Sequence, residues 1–148
     1  MNMSLNIETL NETQQPSEAE PGTREVPLPT PAELRASLPV PAHIQARIRQ
    51  HRDAVRRILN GEDPRTLVVV GPCSIHDEVA ALEYGEKLKA LADDVSDRFL
   101  IVMRTYLEKP RTTVGWKGLL YDPERTGSGN LNEGLLRSRR LLLNLSDM

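Results

Sequence analysis

The stretch "TLVVVG", residues 66–71, is a continuous β-branched run between Asp63-Pro64 and Gly71-Pro72. A second run, "FLIVMR", occupies residues 99–104. Between them Asp77 stands as a helix cap, and Ala81, Leu82, Gly85, Leu88, Leu91 and Val95 recur at helical spacing over residues 78–95. Strand, helix and strand within about forty residues predict a right-handed crossover with parallel strands. Strands this continuous in apolar character are expected to be buried on both faces. The pattern sets the class as α/β. It also puts the C-terminal ends of both strands on one edge of the sheet, where α/β folds carry their sites.

The flanks are helical. "TPAE" offers Thr30 as cap, Pro31 at the first helical position and Glu33 to complete a capping box. Pro39 and Pro41 keep that helix short, and a longer one is expected from about Pro41 to Asn60-Gly61. Its apolar face would hold Ile44, Ile48, His51, Val55, Ile58 and Leu59, with Arg47, Arg49, Arg52, Arg56 and Arg57 on a solvated side. After the second strand a long loop, about 105–130, leads to an amphipathic helix with Leu131, Leu135, Leu136, Leu142 and Leu143. Ahead of everything, residues 1–30 carry Glu8, Glu12, Glu18, Glu20 and Glu25 against Arg24 as the one base, and seven of the eleven prolines lie at or before Pro41. Such a segment buries too little apolar surface to offset its ordering entropy. The expected organisation is a flexible extension over 1–29, a helical segment over 30–61 and a βαβα unit over 62–148.

Composition narrows the function classes. The 148 residues are 39% hydrophobic and 27% charged, with net charge −2, which suits a soluble globular protein. With 3% aromatic residues and an acidic total, nucleic acid is not an expected partner. No run approaches the roughly 18–20 apolar residues of a membrane span. The N-terminus has neither the basic start nor the apolar stretch of a signal peptide, and one cysteine cannot form an internal disulfide, so the expected location is cytoplasmic.

Chemistry gathers at the sheet edge. Cys73, in "GPCSIHD", directly follows the first strand, and Arg104 closes the second. Lys109, Arg111 and Lys117 follow in "EKPRTTVGWKG", where Pro110 stiffens the chain and Thr112 and Thr113 add hydroxyl donors. Cationic forks with backbone and hydroxyl donors suit a phosphate or a carboxylate. For the thiol three readings stand: a buried apolar residue, a nucleophile with His76 as its base, or a metal ligand. Cys73-x-x-His76 has the spacing of a metal pair, but nothing nearby in sequence completes a ligand set.

"LVVVGPCSIHD" together with "EKPRTTVGWKGLLYDP" resembles the class I 3-deoxy-D-arabino-heptulosonate 7-phosphate (DAHP) synthases of the aromatic-amino-acid-sensitive type, from about Pro41 to the end of the chain. The resemblance implies an N-terminal extension followed by a (β/α)8 TIM barrel, of which this chain holds the first two βα units. It implies a transferase of the shikimate pathway that condenses phosphoenolpyruvate with erythrose 4-phosphate. The methylene carbon of phosphoenolpyruvate attacks the aldehyde, water adds to the middle carbon, and phosphate leaves. A divalent transition metal (Mn, Fe, Co or Zn) is implied as cofactor, with Cys73 as one ligand and no ligand role for His76. Arg104 and Lys109 would hold phosphoenolpyruvate, Lys109 would also move a proton, and Pro110, Arg111 and Thr112 would meet erythrose 4-phosphate. The parent enzyme is implied to be a homo-oligomer with an aromatic amino acid effector.

A barrel of this kind takes about 250 residues. The family's other metal ligands and further phosphoenolpyruvate-binding residues have no match in this sequence. The expectation is therefore an N-terminal part of such a synthase, inactive and unstable alone. The alternative is a non-catalytic binding or regulatory chain.

Overall fold

A computed structural model describes residues 27–109 and 114–148. Most of the expected extension, residues 1–26, lies outside the described residues, as do Pro110, Arg111, Thr112 and Thr113.

The capping box forms. The Thr30 hydroxyl accepts from the Glu33 N–H (3.2 Å) while Glu33 accepts from the Thr30 N–H (2.8 Å), and α1 runs Pro31–Ser37. Helix α2, Ala42–Leu59, ends at Asn60, with Gly61 at φ 74°. Its expected apolar face is narrower than the sequence reading. Ile44 is buried and Ile48, Val55 and Ile58 are half-buried, but Leu59 is 72% exposed. Neighbouring helix positions differ by about 100° around the axis, and the face α2 buries here takes in Ile58 and leaves Leu59 outside it. His51 stays on the expected side yet is exposed, because it lines an open groove rather than a filled core. Arg49, Arg52, Arg56 and Arg57 are solvated, whereas Arg47 donates to the Ser146 carbonyl (3.2 Å).

Strands β1, Thr66–Val70, and β2, Phe99–Met103, pair in parallel, with Thr66 opposite Phe99 and Val70 opposite Met103. Helix α3, Glu78–Asp94, makes the crossover, and Asp77 caps it by accepting from the Ala80 N–H (3.0 Å). The expectation that the strands are buried on both faces fails. Val69 is 63% exposed, and Val70 and Phe99 are also exposed. Among the described residues the sheet has two strands, with α2 against β1 and α3 against β2, so side chains turned from the helices have nothing over them. In α3, Ala81 and Gly85 are buried as expected, while Leu91 near its end is 50% exposed.

Helix α4, Leu131–Asp147, packs on α2 and α3. Its most buried positions are Gly134, Ser138 and Leu141 rather than the expected leucines, and Leu142 is exposed. The reason is close backbone approach: a Cβ on Gly134 would lie 1.9 Å from the Leu120 carbonyl oxygen. Small residues bring the helix down onto the chain after β2, and the leucines beside them only flank the contact.

The core is not under the sheet. Ile75, Ala81, Leu119 and Leu141 form it, with Leu82, Leu107, Trp116 and Leu145 packed around. Ile75 follows β1, and Leu107, Trp116 and Leu119 follow β2. The apolar cluster thus joins the two loops at the C-terminal edge of the strands. No described helix is long and apolar enough to cross a membrane.

Candidate functional site

The edge is built first by backbone. The Arg104 N–H donates to the Val70 carbonyl (2.8 Å), one step past the last paired residues. Gly71 lies against this bond. A Cβ there would sit 2.4 Å from the Arg104 carbonyl oxygen, so no side chain fits while the strands keep this spacing. The chain then turns through Pro72 to Cys73, whose thiol is free and exposed. Exposure removes the buried-thiol reading.

The Arg104 guanidinium reaches back to the same turn. Nη2 donates to the Cys73 carbonyl (3.3 Å), and the guanidinium lies 4.5 Å from the centroid of the Tyr106 ring. Tyr106 in turn accepts from the Ile75 N–H (2.7 Å). Two hydrogen bonds therefore tie residues 73–75 to residues 104–106, and the Arg104–Tyr106 contact steadies the second segment. Of the expected site residues, these bring Arg104 to the backbone of Cys73. A cation held this way is presented to solvent at the strand ends, as an anion site requires.

Lys109 lies on the next segment. Its N–H donates to the Lys117 carbonyl (2.8 Å), and the Leu120 N–H donates to the Leu107 carbonyl (3.1 Å). These bonds join the two arms of chain on either side of residues 110–113, which lie outside the described residues. Gly118, at φ 117°, lets the arms meet, since a Cβ would fall 2.6 Å from the Leu107 carbonyl oxygen. Leu119, fully buried, anchors the base in the core. The ammonium of Lys109 sits 5.4 Å from the centre of the Trp116 ring.

Acidic groups near the edge serve structure. Asp77 is held below the usual carboxylate range, first by the Ala80 N–H and to a smaller extent by the charges of His76 and Arg125. His76 is exposed. Among the described residues no three His, Cys, Asp or Glu side chains converge as a metal set would. The donors assembled here do not make a metal centre by themselves.

Sequence reasoning missed Tyr106, Trp116, Gly118 and Leu119, which hold the expected residues in place. The available signal was "GWKGL" itself, which sets the chain's one tryptophan among two glycines in a cationic loop.

The DAHP synthetase I family profile matches residues 39–147. The Tyr-sensitive phospho-2-dehydro-3-deoxyheptonate aldolase of Escherichia coli K12 is 52% identical over 126 residues, covering 85% of this chain and 35% of that protein. A Trp-sensitive counterpart from E. coli O157:H7 is 50% identical over 121 residues, again 35% of its length. In three dimensions the chain is similar to the solved phospho-2-dehydro-3-deoxyheptonate aldolase of Francisella tularensis, with TM-score 0.79 and 42% identity over 86% of this chain and 37% of that one. The chain spans about a third of the length of the curated relatives it matches.

Proposed function

From the premise that this chain belongs to the DAHP synthetase I family, we propose that its sheet edge forms part of a site that condenses phosphoenolpyruvate with erythrose 4-phosphate to give DAHP and phosphate. The observation that carries this reading is the Arg104 guanidinium fastened to the Cys73 carbonyl at the strand ends, which joins a cation to the expected metal ligand.

The roles follow from the side chains. Arg104 offers a charged fork to the carboxylate or phosphate of phosphoenolpyruvate, and its orientation is fixed by Cys73 and Tyr106 before the anion arrives. Lys109 supplies a second point charge and, having exchangeable protons, is the group proposed to move a proton during the condensation. Pro110, Arg111 and Thr112, which follow Lys109 in the motif, are assigned to the phosphate of the sugar. Both substrates are anions, and a cationic edge raises their local concentration.

Cys73 is proposed as one ligand of a divalent transition metal, whose chemistry when bound is to polarise an oxygen of the substrate or water. Such an ion takes four or more donors, and the described residues do not assemble them, so no step is routed through it. The remaining donors would come from outside the described residues. The parent enzyme is proposed to respond to an aromatic amino acid, as the names of the Tyr- and Trp-sensitive relatives suggest; a homo-oligomer is proposed from the family resemblance alone.

The test is phosphate release by a full-length enzyme carrying these residues. Release is expected to need phosphoenolpyruvate and erythrose 4-phosphate together, to stop with a chelator and to return with Mn. Arg104→Met is expected to raise KM for phosphoenolpyruvate at least about ten-fold, as loss of a charged hydrogen bond implies. Release from phosphoenolpyruvate alone, or an Arg104→Met enzyme with unchanged KM, would contradict the assignment.

A further inference from the structure

Trp116 is held at three points. Its indole body packs on the core cluster of Ile75, Ala81, Leu119 and Leu141. Its Nε1–H donates to the Asp122 carbonyl at 2.7 Å. Its ring lies under the Lys109 ammonium, 5.4 Å from the centroid.

Asp122 is itself fixed. The residue is buried, at 9% exposure. Its carboxylate accepts from the Thr126 N–H (3.2 Å) and the Gly127 N–H (3.0 Å). Its carbonyl, besides Trp116, accepts from the Arg125 N–H (3.2 Å). Arg125 has φ 58°, the one described non-glycine residue in the left-handed region. These bonds hold a turn that a bulky residue does not adopt unaided. The turn sets the height of the Asp122 carbonyl, the carbonyl sets the indole, and the indole gives Lys109 a surface to rest on.

An exposed lysine has four rotatable bonds and a strongly hydrated head, so its ammonium is poorly localised unless something attracts it. An aromatic face attracts the charge without neutralising it, which a carboxylate partner would do. A lysine that must meet an incoming anion needs that arrangement. We infer that Trp116, braced by Asp122, is a positioning residue that holds the Lys109 ammonium ready for the anionic group of phosphoenolpyruvate. The inference rests on the proposed role of Lys109 in binding that substrate.

The test compares Trp116→Leu, Trp116→Phe and Lys109→Met in a full-length enzyme carrying these residues, with each substrate varied in turn. Trp116→Leu keeps apolar bulk and loses the ring. It is expected to raise KM for phosphoenolpyruvate about two- to five-fold, the factor that an exposed cation–π contact corresponds to, with KM for erythrose 4-phosphate unchanged. Trp116→Phe restores a ring face without the Nε1–H bond and is expected to recover most of the loss. Equal effects of Leu and Phe, or equal shifts in both KM values, would overturn the inference and leave Trp116 as packing alone. If Lys109→Met raises KM for phosphoenolpyruvate and Trp116→Leu does not, the inference fails while the functional reading stands. If Lys109→Met has no effect, both fail. A second measurement needs no activity. Trp116 is the only tryptophan in the 148 residues, so in this chain, under conditions where circular dichroism shows it folded, Lys109→Met is expected to shift its fluorescence emission, and an unchanged spectrum would show that the pair does not form.

Discussion

Gly71 and Gly134 carry no chemistry, yet each sits where two backbones touch. A methyl group at Gly71 would lie 2.4 Å from the Arg104 carbonyl oxygen, and one at Gly134 would lie 1.9 Å from that of Leu120. Neither oxygen is the end of a flexible side chain, so backbone must move. Gly71→Ala is expected to destabilise by at least about 1–3 kcal/mol, the usual cost of overpacking, and to loosen the Arg104–Cys73 contact with it. Chemical denaturation against the parent protein measures this, and an unchanged midpoint would mean the strands separate at no cost. At this scale the sequence showed the reactive types well. Cys73, Arg104 and Lys109 stand out by charge or softness, and the strand pattern already put the first two on one edge. Their supports did not stand out. Tyr106, Trp116 and Asp122 act through a ring face and a backbone carbonyl, and neither leaves a compositional trace. Pro110, Arg111 and Thr112 lie outside the described residues, so their assignment rests on the motif.

Helices α2 and α3 and both strands were legible to within about a residue or two at their ends, because caps and periods state them locally, while the C-terminal end of α4 at Asp147 carries no such signal. Which face each element buries was less legible. The contact face of α4 runs through Gly134, Ser138 and Leu141, and a reading that counts apolar residues passes over a glycine and a serine. Strand burial was misjudged for a different reason. Continuous apolar character records a strand's partners, and among the described residues each strand has one. Between α2 and β1, Asp63 accepts from the Arg65 backbone N–H (3.1 Å) and side-chain Nη2 (2.8 Å). The Arg65 bonds pull its carboxyl from an ordinary 3.8 down to about 2. A carboxyl whose folded pKa is depressed adds stability that is complete above its unfolded pKa and is lost as pH falls through the folded one. The contribution is thus present above about pH 4 and fades towards pH 2. Asp63→Asn lacks the charge, so its deficit in Tm relative to the parent is expected to shrink over that interval. A deficit constant with pH would show that the Asp63–Arg65 contact does not depend on the charge.

Across the molecule, the core and the candidate site are two sides of one construction. Ile75 and Leu119 are the largest fully buried side chains. Each lies within the same short motif as a candidate site residue, Cys73 in one case and Lys109 in the other. Packing the loops therefore places the chemistry. The sheet contributes direction more than burial, and one side remains an open groove of about 810 Å³ between β2 and the helices, lined in part by Val55, Leu88, Leu100, Val102 and Leu145. We propose that two loops with separate duties meet at this edge. Cys73→Ser and Arg111→Ala, made singly in a full-length enzyme carrying these residues, test it by calorimetric titration with metal and with erythrose 4-phosphate. Serine is a far weaker ligand than a thiolate for a soft transition ion, so Cys73→Ser is predicted to lose metal affinity and activity with the fold kept. Arg111→Ala is predicted to weaken erythrose 4-phosphate binding about 10- to 150-fold, from roughly 1.5–3 kcal/mol for a charged hydrogen bond, with metal binding unchanged. Normal metal binding by Cys73→Ser, or metal loss in Arg111→Ala, would contradict that division.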